Sequence, residues 1–138
     1  MELKEKINWL NRAYRAERLY IAYTEKMVRD REIARKLTRT FSESPSSTNS
    51  NSTENALVRF TESSVRAEEK LKELSKIRDE IEDAILQIED YDLQSVLIMR
   101  YVNYFTYEKI AEKLHYGLRT VYRMHDRAVE KLAVVGID

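Results

Sequence analysis

Two glycines and one proline in 138 residues leave little material for the turns of an all-β chain, so most of the length must be helical. The apolar residues agree. In the first segment Trp9, Ala13, Ala16, Tyr20, Tyr23, Met27, Ala34, Leu37 and Phe41 recur at helical spacing, with Asp30 interrupting the row. Farther on, Leu57, Phe60, Ser64, Ala67, Leu71, Leu74, Arg78, Ile81, Ile85 and Ile88 alternate steps of three and four, a heptad seam with Ile77 beside its one charged member. A helix over 53–89 would run roughly 50 Å at about 1.5 Å per residue and needs a partner along it.

Between the two rows, FSESPSSTNSNSTEN is almost entirely Ser, Thr, Asn and Pro, which favour turns and build no core. Asn51 followed by Glu54 has the form of a capping box and predicts the next helix start. These patterns divide the chain into a first long helix (1–41), a Ser/Asn-rich linker (42–52), a second coiled-coil helix (53–89) and a C-terminal domain (90–138). Charge supports pairing of the long helices. Residues 1–41 carry a net +5 and residues 42–90 a net −6, inside a neutral total. The same faces could pair within one chain or between two.

The absence of cysteine excludes disulfides and thiolate metal sites, and fits a reducing cytosol. No apolar stretch has the length of a membrane span or the form of a signal peptide, so the expectation is a soluble protein of the bacterial cytoplasm with no membrane partner. His115 and His125 follow no metal-ligand spacing, and His125 reads as a packing histidine. With two glycines there is no phosphate-cradling loop, and no nucleophile and base stand together. The chain is expected to be no enzyme and to use no cofactor or metal.

Three shorter helices follow residue 90. Asp90 or Asp92 caps the first, which buries Leu93, Val96, Leu97 and Tyr101. Thr106 caps YEKIAEKL, with Glu108 in its first turn, and Gly117 permits the tight entry into a third helix over 118–134. A helix-turn-helix template fits YEKIAEKLHYGLRTVYRMHDRAV: Ile110 and Leu114 face inward, Ala111 allows close approach, and Val121 and Met124 anchor the last helix. The residues such a helix turns toward the major groove are those near its start, Leu118, Arg119, Tyr122 and Arg123, with Thr120 beside them. Arginine suits that place because its planar fork bonds guanine or grips phosphate.

The competing reading is a solvated face. Arg119, Arg123, Arg127 and Lys131 lie four apart, and Asp126 and Glu130 are placed to pair with them. Among the tyrosines, Tyr107, Tyr116 and Tyr122 are placed to bond phosphates, whereas Tyr91, Tyr101 and Tyr104 are expected in a thin core.

The segment LQSVLIMRYVNYFTYEKIAEKLHYGLRTVYRMHDRAVEKL resembles region four of bacterial sigma factors. Nearly the whole chain resembles a small phage-encoded family of uncharacterised proteins in Gram-positive bacteria, related in layout to the ArpU and RinA types of phage late-gene regulator. The resemblance implies an all-α fold, a long antiparallel helical hairpin (coiled coil) followed by a three-helix, sigma region-four-like helix-turn-helix domain. It also implies a phage or prophage transcriptional regulator that binds double-stranded DNA through Arg119, Thr120, Tyr122 and Arg123, with Arg127 on the phosphate backbone. Where sigma-like motifs carry glycine this chain has His115, and where they carry serine it has Gly117. These departures imply a shifted or strained turn, with a left-handed His115 uncommon but tolerable, and a last helix that starts without a serine cap.

A homodimer or higher homo-oligomer through the long helices, and contact with RNA polymerase, are the partners this implies. Two other functions fit the same sequence. One is a DNA-packaging component like a phage small terminase subunit, which would form a larger ring. The other is a coiled-coil assembly or adaptor protein that does not bind DNA.

Overall fold

The computed structural model describes residues 2–43 and 47–134. Every regular element among them is helical: α1 (Leu3–Leu10), α2 (Arg12–Glu43), α3 (Ser47–Leu86), α4 (Tyr91–Leu97), α5 (Tyr107–Leu114) and α6 (Leu118–Lys131). α4 widens at its end into a π-helical turn, Ile98–Val102. The chain forms two compact units, one of residues 16–74 and one that joins the residues up to 15 with those from 75 onward. The ends of both long helices thus belong with the C-terminal helices.

In the unit of residues 16–74, α2 and α3 run antiparallel. Thr53 Oγ1 donates to the Leu37 carbonyl at 3.4 Å, Lys26 Nζ to Ser63 Oγ at 3.1 Å, and the Lys70 ammonium stands 6.0 Å from the Tyr23 ring, so ascending positions on one helix meet descending positions on the other. On α2 the face toward the seam is the expected one, including the interruption: Asp30 accepts from Ser63 Oγ and from Lys26 Nζ, the latter at 2.9 Å. Those two hydrogen bonds lower the Asp30 pKa below the usual carboxylate value.

On α3 the expected row is half right. Phe60, Ala67 and Leu74 belong to the seam, but its second row is Ala56, Ser63 and Lys70, while Leu57 and Leu71 stand exposed on the flank. Ala56 and Ser63 are small enough to let the two helices pack closely, and Lys70 reaches along the seam to put its ammonium near the Tyr23 ring.

The linker is shorter than expected. α2 continues through Ser42 and Glu43, and α3 begins at Ser47, so the capping-box Asn51 lies inside a helix. Residues 44–46 of the predicted linker fall outside the described residues. Ser, Thr and Asn cost a helix only up to about 0.7 kcal/mol each. Burial of Thr53 and Ala56 against α2 offsets that preference.

The other unit has a branched-aliphatic core. Leu10 and Ala13, Ile81, Ile85 and Ile88, Leu93, Leu97 and Tyr101, and Ala128, Val129 and Leu132 pack as one cluster. α3 stops at Leu86, three residues before the expected end. The Gln94 side-chain amide donates to the carbonyls of Leu86 and Ile88 there, and Asp90 caps α4 by accepting from the amides of Asp92 and Leu93 at 2.9 and 3.2 Å. α6 ends at Lys131, short of the expected residue 134, because Leu132 turns extended and buries its side chain.

Candidate nucleic-acid interface

Local signals shape α5 and α6. Thr106 is extended before α5 and its hydroxyl oxygen accepts from the Lys109 amide at 3.2 Å, while Glu108 puts negative charge in the first turn. α5 closes where His115 turns left-handed, φ 60° and ψ 39°. The amides of His115 and Tyr116 reach back to the carbonyls of Glu112 and Ala111 at 3.4 and 3.0 Å, a helix ending usually built with glycine. Gly117 does not supply the special conformation. Its φ of −69° and ψ of 154° are ordinary extended values, and a Cβ there would meet nothing within 4 Å.

Ile110, Ala111 and Val121 are buried together with Val96 of α4, and Leu114 and Met124 pack at the margin. This contact fixes which side of α6 faces out. Leu118, Arg119, Thr120, Tyr122, Arg123 and Arg127 are all exposed, the first five within the first two turns of the helix. Among the described residues, none of the three arginines makes an ion pair. Asp126, expected to pair with the stripe, accepts instead from His125 Nδ1 at 2.9 Å. Tyr122 is partly committed to packing, its ring 4.8 Å from that of Tyr107.

Beneath the exposed stripe lies a polar contact. His125 is 4% exposed, and the Tyr101 hydroxyl donates to its Nε2 at 2.6 Å while Nδ1 donates to Asp126. This partnering corresponds to a neutral imidazole with its proton on Nδ1. Burial pushes the His125 pKa down, opposed by the Asp126 hydrogen bond, and burial pushes the Tyr101 phenol up. Tyr107, a candidate for phosphate contact, is instead held between neighbours: the Arg100 guanidinium lies 4.4 Å over its ring and His125 meets it edge-on at 5.5 Å. Tyr116 is exposed.

Tyr101 is buried as expected and Tyr104 half-buried, but Tyr91 is 81% exposed, not in the core. It opens α4 two residues before Leu93, which places it about 200° around the helix from that buried side chain. Arg100 escapes sequence reasoning altogether. It donates to the Phe105 carbonyl at 3.0 Å and covers Tyr107, a position set by the π turn, which shifts the helical register. Among the described residues no cluster of His, Asp and Glu could hold a metal, and no helix is long and apolar enough to cross a membrane.

Residues 49–133 match the model of a protein family described as "Protein of unknown function (DUF1492)". The chain belongs to this family. The matched stretch takes in nearly all of α3 and every helix after it, so the shared part holds both the seam of α3 and the exposed stripe of α6. α1 and α2 precede it. No curated protein and no solved structure matches the chain.

Proposed function

We propose that α5 and α6 act as a helix-turn-helix, that α6 enters the major groove of double-stranded DNA, and that the protein is a transcriptional regulator of the phage or prophage type. The observation that carries this is the arginine row: Arg119, Arg123 and Arg127 stand exposed along α6 with no ion pair among the described residues. A merely solvated stripe would be expected to use the carboxylates within its reach, yet Asp126 turns to His125. Arg119, Thr120, Tyr122 and Arg123 are the base-reading candidates, with Leu118 beside them for apolar contact and Arg127 on the phosphates. The layout likeness to ArpU and RinA regulators points to late-gene promoters in the bacterial cytoplasm, with RNA polymerase as a neighbour on the DNA.

Dimerisation belongs to the same reading. Leu19, Ile21, Val28, Ile33, Leu57, Val58, Val65 and Leu71, all in the unit of residues 16–74, are between 39 and 55% exposed, more apolar surface than a lone hairpin favours. A second copy covering part of it would fix the spacing of two reading helices on DNA.

Fluorescence anisotropy with pooled promoter fragments, at two salt concentrations, tests the reading. Wild type should bind and weaken as salt rises, and an Arg119→Ala, Arg123→Ala double variant should lose about 10- to 100-fold in affinity. Absence of binding by folded wild type at low salt would leave the protein an assembly or adaptor module. Sedimentation of the protein alone separates a dimer from the larger ring of a packaging component.

A further inference from the structure

A buried hydrogen-bond chain surfaces on α6 at Asp126. The Tyr101 hydroxyl donates to His125 Nε2 at 2.6 Å, and His125 Nδ1 donates to Asp126 Oδ1 at 2.9 Å. Tyr101 and His125 are both buried, whereas the Asp126 side chain is 55% exposed. Ring contacts hold the histidine in place, with Tyr101 at 5.7 Å and Tyr107 edge-on at 5.5 Å. The carboxylate is therefore fixed from beneath at one oxygen. Among the described residues no other hydrogen bond or ion pair involves it, which leaves Oδ2 for a donor from outside.

A helix lying in the major groove presents residues i, i+3, i+4 and i+7 along one face. Counted from Arg119 that row continues with Tyr122, Arg123 and Asp126, all of them exposed. Asp126 reverses the charge of the row. Phosphates repel a carboxylate, so for affinity alone a neutral residue in its place would serve better. An unanchored aspartate would swing toward Arg123, three residues back, but this one is held by a buried partner. A fixed acceptor in a reading row serves discrimination between bases.

The base it would favour follows from the groove edges. Cytosine offers only its N4 amine there, adenine sets an amine beside the N7 acceptor, and guanine and thymine offer acceptors alone. A single carboxylate oxygen accepts from cytosine and is repelled by guanine and thymine, with adenine between. We propose that Asp126 is a specificity-determining residue that selects cytosine in the DNA site, and that His125, backed by Tyr101, is the positioning residue that aims it. The inference rests on the reading of α6 as the helix that enters the groove.

Selection of bound sequences from random double-stranded DNA, with the whole protein and its variants side by side, is the test. Wild type should enrich a site in which one position per reading helix favours cytosine by about tenfold. Asp126→Ala should flatten that position, keep the others, and hold or raise total affinity because a negative charge is gone. Asp126→Asn should invert it: with His125 still bonded to the oxygen, the amide nitrogen faces outward and donates to guanine or thymine. Glu130→Ala removes a carboxylate from the last turn of the same exposed face and should leave the site unchanged. An identical site for wild type and both Asp126 variants overturns this inference and leaves the reading of α6 standing, as does a cytosine preference that Glu130→Ala also erases. Enrichment of no sequence by folded wild type overturns the reading of α6 and this inference with it.

Discussion

The two units of this protein bury opposite kinds of side chain. The unit of residues 16–74 hides Ala34, Thr53, Ala56, Ser63, Ala67 and Leu74 and leaves eight large apolar residues half in water; the other hides Leu10, Ile81, Ile85, Leu97, Ile110, Val121 and Val129 almost completely. Burial of a large aliphatic side chain contributes roughly 1.5–3 kcal/mol, whereas a seam of alanine and serine removes little apolar surface from water. The contrast teaches that one unit carries its own core, while the other packs two helices through small side chains and leaves its large ones half in water.

Substitutions can break or sharpen that contrast. Leu97→Ala in the aliphatic core should cost about 2–5 kcal/mol in urea unfolding, against less than about 1 kcal/mol for Leu71→Ala on the exposed flank of α3. Equal losses would mean that the flank is covered in solution, and a loss at Leu71 that grows with protein concentration would identify a second copy as the cover.

Within the thin seam, the polar cross-link should matter more than any one methyl group. Asp30→Ala strips Ser63 and Lys26 of their shared acceptor and should cost about 1–2 kcal/mol at neutral pH by thermal melting. The Asp30 pKa is lowered in the fold, so its contribution is present above the ordinary carboxylate range and is lost as pH falls through the folded value. Wild type and variant should therefore converge in acid.

His125 provides the matching test in the other unit. Burial lowers its pKa, so the unfolded chain takes up the proton first as pH drops. Stability should be full above the usual histidine range and decline from pH 7.5 toward 5.5. His125→Gln should remove that slope, read from melting temperatures across the same window. The smallest effect is a gain: Gly117→Ser supplies the side-chain cap that α6 lacks and should raise stability by a few tenths to about 1 kcal/mol.

Much was legible along the chain where one residue type answers to one local rule. Asp90 and Thr106 cap the helices they precede, and the α2 row faces its seam with Asp30 in place. Ile110, Ala111 and Val121 are buried, and the six residues proposed to meet DNA lie on the opposite, exposed side of α6. These features need only the period of a helix and the chemistry of its ends.

Choices between neighbouring rows were not legible. Leu57 and Ala56 are adjacent in sequence, and hydrophobicity favours the leucine, yet the alanine is buried in the seam and the leucine stands on the flank. The Ser/Asn-rich stretch reads as a loop because its propensities are weak, yet the chain is helical from Ser47 onward, with Thr53 buried and bonded to the Leu37 carbonyl. Arg100 and Tyr104 acquire their surroundings from a π turn and a strained residue that no spacing rule anticipates. By itself, then, the sequence determined an all-helical chain, its caps and the outward face of α6, since these follow from interactions within a few residues. Only the tertiary structure decided which row forms the seam, where the two units divide and how His125 comes to lie between Tyr101 and Tyr107, because those depend on contacts between residues far apart in the chain.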